Sequence, residues 1–78
     1  MTLSEWTATW LEALEAERGR QWMYDGTARE VAEAKGWKIL DCDQSRDMVL
    51  AEAAPGKLLV IGALPKAYGF WSVEVPAA

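Results

Sequence analysis

The sequence predicts an α+β fold in which two amino-terminal helices pack on a three- or four-stranded antiparallel β-meander, all within one domain, residues 1–78. Leu3, Trp6, Trp10, Leu11 and Leu14 recur at steps of three and four, the period of one helix face. After Gly36 the apolar residues fall into short segments of strand length separated by turn residues. Between two of those segments, Ala54-Pro55-Gly56-Lys57 has type II turn chemistry: proline presets φ at the second position and glycine accepts positive φ at the third. That turn should close an antiparallel hairpin.

The first helix is expected over about residues 3–18, opened by a Thr2–Glu5 capping box and stopped by Gly19, with Arg18 at the negative end of its dipole. Arg20 to Tyr24 shows no clear period and reads as a connection. Asp25-Gly26 is turn chemistry, and Thr27 with Glu30 repeats the capping-box spacing, so a second helix should run over about 28–35 and end at Gly36. It is short and rich in alanine, hence dependent on docking, with Trp37 placed to anchor it. Four strands follow, at Lys38–Cys42, Met48–Ala53, Lys57–Ala63 and Phe70–Val75, joined by turns at 44–47 and 65–69. The unbroken run Leu58-Leu59-Val60-Ile61 implies a strand covered on both faces or placed centrally, whereas Trp71, Val73 and Val75 alternate with Ser72 and Glu74 and imply one wet face. Connections this short exclude parallel crossovers.

Composition bounds the function. Twelve acidic and eight basic residues give a formal charge of −4, with five tryptophans, one cysteine and no histidine. A lone cysteine in so short a chain, no basic-then-apolar leader pattern and no apolar run approaching the ~20 residues of a membrane span lead us to expect a cytoplasmic protein. Without histidine the usual general base and zinc ligand are both missing, and one cysteine cannot build a thiolate zinc site or pair with a histidine as a nucleophile. Asp41-Cys42-Asp43 with Asp47 lacks the glycine and terminal glutamate of an EF-hand loop, and no GxGxxG or GxxxxGK[ST] phosphate loop occurs among the six glycines. Neither enzyme activity nor a cofactor is expected, and Cys42 is expected as a small core residue.

Thr27 to Trp37 resembles the first helix and turn of helix-turn-helix proteins of the excisionase type, which implies DNA binding by a recognition helix placed directly after Gly36. The sequence there continues Lys38-Ile39-Leu40-Asp41-Cys42-Asp43, strand-like and acidic, so an ordinary capped helix accounts for the segment better.

Charge is segregated along the chain. Residues 1–17 carry Glu5, Glu12, Glu15 and Glu17 without a base, residues 18–40 carry five bases and three acids, and residues 41–52 carry Asp41, Asp43, Asp47 and Glu52 against Arg46. Phosphate-driven nucleic-acid binding needs the opposite sign, so the partner-binding candidates are these acids, namely Glu5, Glu12, Glu15, Asp41, Asp43, Asp47 and Glu52. Trp22 and Tyr24 join them, because aromatics beside Arg18 and Arg20 have the composition of interface hot spots. Four acids over a ~24 Å helix give one charge per ~6 Å, against one per ~1.7 Å for duplex DNA. Helix one alone is a poor copy of a duplex.

An acidic α+β chain of this size with acidic and aromatic features resembles, in general type and without a diagnostic motif, the small anti-CRISPR inhibitors carried by phages and prophages. The resemblance implies non-enzymatic inhibition by binding a CRISPR effector and occluding its target-DNA path, with a protein or ribonucleoprotein partner and no direct contact with nucleic acid or membrane. An antitoxin, immunity or oligomerisation module pairing with a dedicated protein is the other expectation.

Overall fold

The computed structural model describes residues 3–63 and 69–76. Along the chain run α1 (Leu3–Glu15), β1 (Arg20–Trp22), α2 (Ala28–Ala34), β2 (Lys38–Asp43), β3 (Met48–Ala54), β4 (Lys57–Gly62) and β5 (Phe70–Val75). The strands form one antiparallel sheet in the order β1-β5-β4-β3-β2. The α+β class holds, and β2 to β5 form the expected meander around the Pro55-Gly56 hairpin, where Gly56 takes φ +76°. The sheet has five strands rather than three or four. Arg20–Trp22, read as a connection, pairs with β5 through Arg20↔Ser72 and Trp22↔Phe70. Three residues are too few to display a period of two, so only the partner strand reveals this one.

A helix covers each face of the sheet. Leu3, Trp6, Trp10 and Ala13 of α1 pack with Met48, Leu50, Val60, Val73 and Val75. Ala28, Val31 and Ala32 of α2 pack with the alternate residues Val49, Ala51, Ile61 and Phe70. Because successive strand residues point to opposite faces, this alternation along β3, β4 and β5 places the helices on opposite sides. Central β4 is therefore apolar without a break from Leu58 to Ile61. Trp10 anchors the α1 side: its indole N–H donates to the Trp71 carbonyl at 3.0 Å, and its ring occupies the space over Gly62, where an added Cβ would stand 3.0 Å from Trp10 Cζ2. Burying one such ring contributes on the order of 5 kcal/mol of gross apolar stabilisation.

Both helices end in the same backbone motif. In α2, Trp37 N–H donates to Ala32 O and Gly36 N–H to Glu33 O, each at 3.0 Å, with Gly36 at φ +74°. In α1, Arg18 N–H donates to Ala13 O at 2.8 Å and Glu17 N–H to Leu14 O at 3.0 Å, with Glu17 at φ +59°. These are Schellman caps. The first helix thus stops at Glu15 instead of about residue 18, and Glu17 rather than Gly19 takes the left-handed position. At Gly19 an added Cβ would displace the end of the Leu14 side chain. The Thr27–Glu30 capping box forms as expected. Thr2, the first member of the other capping pair, lies outside the described residues, as does most of the 65–69 connection.

Candidate functional site

The acids of the β2–β3 hairpin are engaged within the fold. Asp41 Oδ2 accepts from Leu3 N–H, the first residue of α1, at 3.1 Å, and its Oδ1 accepts from Cys42 N–H at 2.9 Å. Asp47 Oδ1 accepts from Ala28 N–H, the first residue of α2, at 2.8 Å. One hairpin thereby caps both helices, on opposite faces of the sheet, by placing a carboxylate on an orphan N–H at the positive end of each dipole. Asp43 closes the turn itself, accepting from Ser45 Oγ at 2.7 Å and from Arg46 Nε at 2.6 Å. The Ser45 hydroxyl first, then the Arg46 side chain and backbone, lower the Asp43 pKa to about 2. Glu52, opposite Lys38 in the ladder, reaches Gly56 N–H at 3.5 Å.

Glu5, Glu12 and Glu15 are exposed on the outer side of α1, away from the sheet, with Leu11 beside them 42% exposed. Trp22 does not join them. It packs on the α2 side, half-buried, while Tyr24 is exposed in the loop before α2. The acidic helix and the aromatic segment therefore form two separate surfaces, and the hairpin acids belong fully to neither.

A second arrangement lies on the α2 face. With seven residues, α2 covers only part of that face, and beyond Trp37 an open groove of about 370 Å³ remains over Leu59 and Ser72. Trp22 and Trp37 meet edge to face, with centroids 5.6 Å apart, and Trp22 Nε1–H donates to Ser72 Oγ at 2.7 Å. Ser72 is thereby buried, contrary to the wet β5 face expected, while Glu74 on the same face stays exposed. The Arg20 guanidinium stands 4.2 Å from the Trp22 ring centroid and Lys35 Nζ 4.0 Å. Arg18, Arg20 and Lys57 are the basic residues lining the groove. The sequence marks Arg18, Arg20 and Trp22 together and Trp37 as the anchor of α2, but it does not reveal that Lys35 and Lys57 join them, which only the topology brings about.

Among the described residues no group of three or more histidine, cysteine, aspartate or glutamate side chains could hold a metal ion. Nor, among them, is any helix long and apolar enough to cross a membrane. Cys42 is half-buried against the α2 cluster. No family model matches the chain, and neither a similar curated protein nor a similar solved structure is found. Function must be read from the surfaces themselves.

Proposed function

We propose that this chain is a stoichiometric, non-enzymatic inhibitor that binds a nucleic-acid-handling effector through the outer face of α1 and blocks its access to target DNA, in the manner of small anti-CRISPR proteins. The observation that carries this reading is the division of labour among the acids. Those of the β2–β3 hairpin hold the fold together, whereas Glu12 and Glu15 are exposed on a helix face with no base between residues 3 and 17. A local anionic patch beside an exposed leucine suits a few Lys and Arg side chains in a DNA channel, where complementary charge speeds encounter and fixes register.

The test is a double charge reversal, Glu12→Lys with Glu15→Lys, which touches no core residue. Binding of a fluorescent target duplex is followed for a panel of purified CRISPR effector complexes, with increasing amounts of wild-type or variant protein. The expected result is dose-dependent release of DNA by the wild type and at least about tenfold weaker inhibition by the variant, with a shallower salt dependence. Equal inhibition by both proteins, or none by the wild type across the panel, overturns the reading.

A further inference from the structure

We propose that the groove on the α2 face binds a nucleoside phosphate. Three observations carry the inference, all independent of the acidic α1 surface on the other side of the sheet. The first is charge. In a chain of net charge −4, three of the eight basic residues, Arg18, Arg20 and Lys57, line one groove whose lining includes a single acid, Glu74, and a fourth, Lys35, stands over the Trp22 ring. The ion pairs among the described residues are Arg29–Glu33 and Arg46–Asp43, and neither draws on these four cations. Two of them are held against the same indole ring, a like-charge arrangement that an anion relieves.

The second observation is donor geometry. Arg20, held over the Trp22 ring, carries the planar fork of N–H donors that matches the oxygens of a phosphate. Lys57, at the opposite rim, supplies a point charge for the same group. The chain has no glycine-rich phosphate loop, so side chains rather than backbone amides do the holding, and the affinity should fall steeply with salt.

The third is shape. A groove of about 370 Å³ is the size of a small-molecule site. Its floor is apolar at Leu59 and its wall includes the Trp37 indole, an apolar and aromatic lining of the kind on which a planar base rests, while the Trp22 ring is covered by its cations. The exposed Glu74 carboxylate is an acceptor for an exocyclic amine or a sugar hydroxyl. An extended polyanion would be opposed by the net negative charge of the rest of the molecule. A single nucleoside phosphate, free or at the end of a short strand, meets the positive groove alone.

The Trp22 indole N–H, hydrogen-bonded to Ser72, is a built-in reporter. The full chain, labelled with ¹⁵N, is titrated with purine and pyrimidine nucleoside monophosphates, with the matching nucleosides, with inorganic phosphate, with a tetranucleotide single strand and with a glutamate-rich peptide. The expected result is a saturable shift of the Trp22 and Trp37 indole signals by at least one monophosphate at millimolar concentration or below. Its nucleoside and inorganic phosphate should each bind at least about tenfold more weakly. Arg20→Gln with Lys57→Gln should lower the affinity by about tenfold or more while the remaining spectrum stays in place. Arg20→Lys, which keeps the charge and loses the fork, should fall between the two and separates phosphate recognition from any loss of folding. Tighter binding of the tetranucleotide identifies a strand end as the source, and weaker binding identifies the free nucleotide. The proposal is overturned if no monophosphate gives a saturable shift, if the nucleosides bind equally well, or if the glutamate-rich peptide alone moves these signals.

Discussion

The β2–β3 hairpin and the groove on the α2 face are both rich in charge, and they differ in what that charge meets. In the hairpin, Asp41 and Asp47 sit on the first N–H groups of α1 and α2, and Asp43 is closed by Ser45 and Arg46. On the α2 face, Arg20 and Lys35 lie on the Trp22 indole, and neither forms an ion pair among the described residues. The asymmetry has a physical origin. Helix starts present orphan N–H groups that a short carboxylate can accept from. The complementary orphan carbonyls at helix ends are closed here by backbone Schellman bonds, which leaves Lys and Arg without that structural use. The hairpin acids are absorbed by this fold, and the bases around Trp22 are not.

The sharpest way to break this contrast is to remove the two caps. Asp47→Ala loses the bond to Ala28 N–H and also places alanine at φ +53°, so it should destabilise the chain by about 2 kcal/mol. Asp41→Ala loses a cap without backbone strain and should cost about 1 kcal/mol. For a domain of this size these correspond to melting temperatures lower by roughly 10 °C and roughly 5 °C. The groove variant Arg20→Gln with Lys57→Gln should melt within about 3 °C of the parent. Thermal unfolding followed by circular dichroism checks all three. If the aspartate variants melt like the parent while partner binding is lost, the hairpin acids belong to an interaction surface and the contrast fails.

What the sequence made legible follows the range of the interaction involved. The periodic face of α1, the Thr27–Glu30 box, the Gly36 stop, the Pro55-Gly56 turn and the apolar run of β4 all rest on residues within one element or one turn. The features it concealed depend on partners far along the chain. Trp22 becomes a strand residue only by pairing with Phe70, Asp41 becomes a cap only because Leu3 arrives 38 residues away in sequence, and Lys57 joins Arg20 only across β5. The candidate site was half legible for the same reason. The acids could be counted, but whether each was free could not.

The two helix ends give a second, smaller comparison. The same cap is built with glycine at position 36 and with glutamate at position 17, where the left-handed backbone is unfavourable for a residue with a Cβ. Glu17→Gly should therefore stabilise the chain by about 0.5–1 kcal/mol, the relief of strain being partly offset by the greater entropy of glycine in the unfolded chain. Gly36→Glu should lose about 1 kcal/mol at the equivalent position. Urea unfolding midpoints at constant m-value measure both. A destabilised Glu17→Gly variant would mean that the Glu17 side chain stabilises the fold by more than its backbone costs, which would extend the absorption of acids to the α1 terminus.

The weakest expected effect is also the one that separates hydrogen bonding from bulk charge in the hairpin. Asp43 has a folded pKa of about 2, below its ordinary 3.8, so its carboxylate form is the one favoured by folding. Its contribution to stability is fully present above about pH 4 and is lost as the pH falls toward about 2. Asp43→Asn should flatten that limb of an acid unfolding curve and leave its shape near neutrality unchanged. The Ser45 hydroxyl is the largest cause of the shift and the Coulombic attraction of Arg46 the smallest, so Ser45→Ala should move the limb more than added salt does. If salt alone abolishes the limb, the turn is held by screened surface charge. Its acids would then be as available to a partner as those on α1.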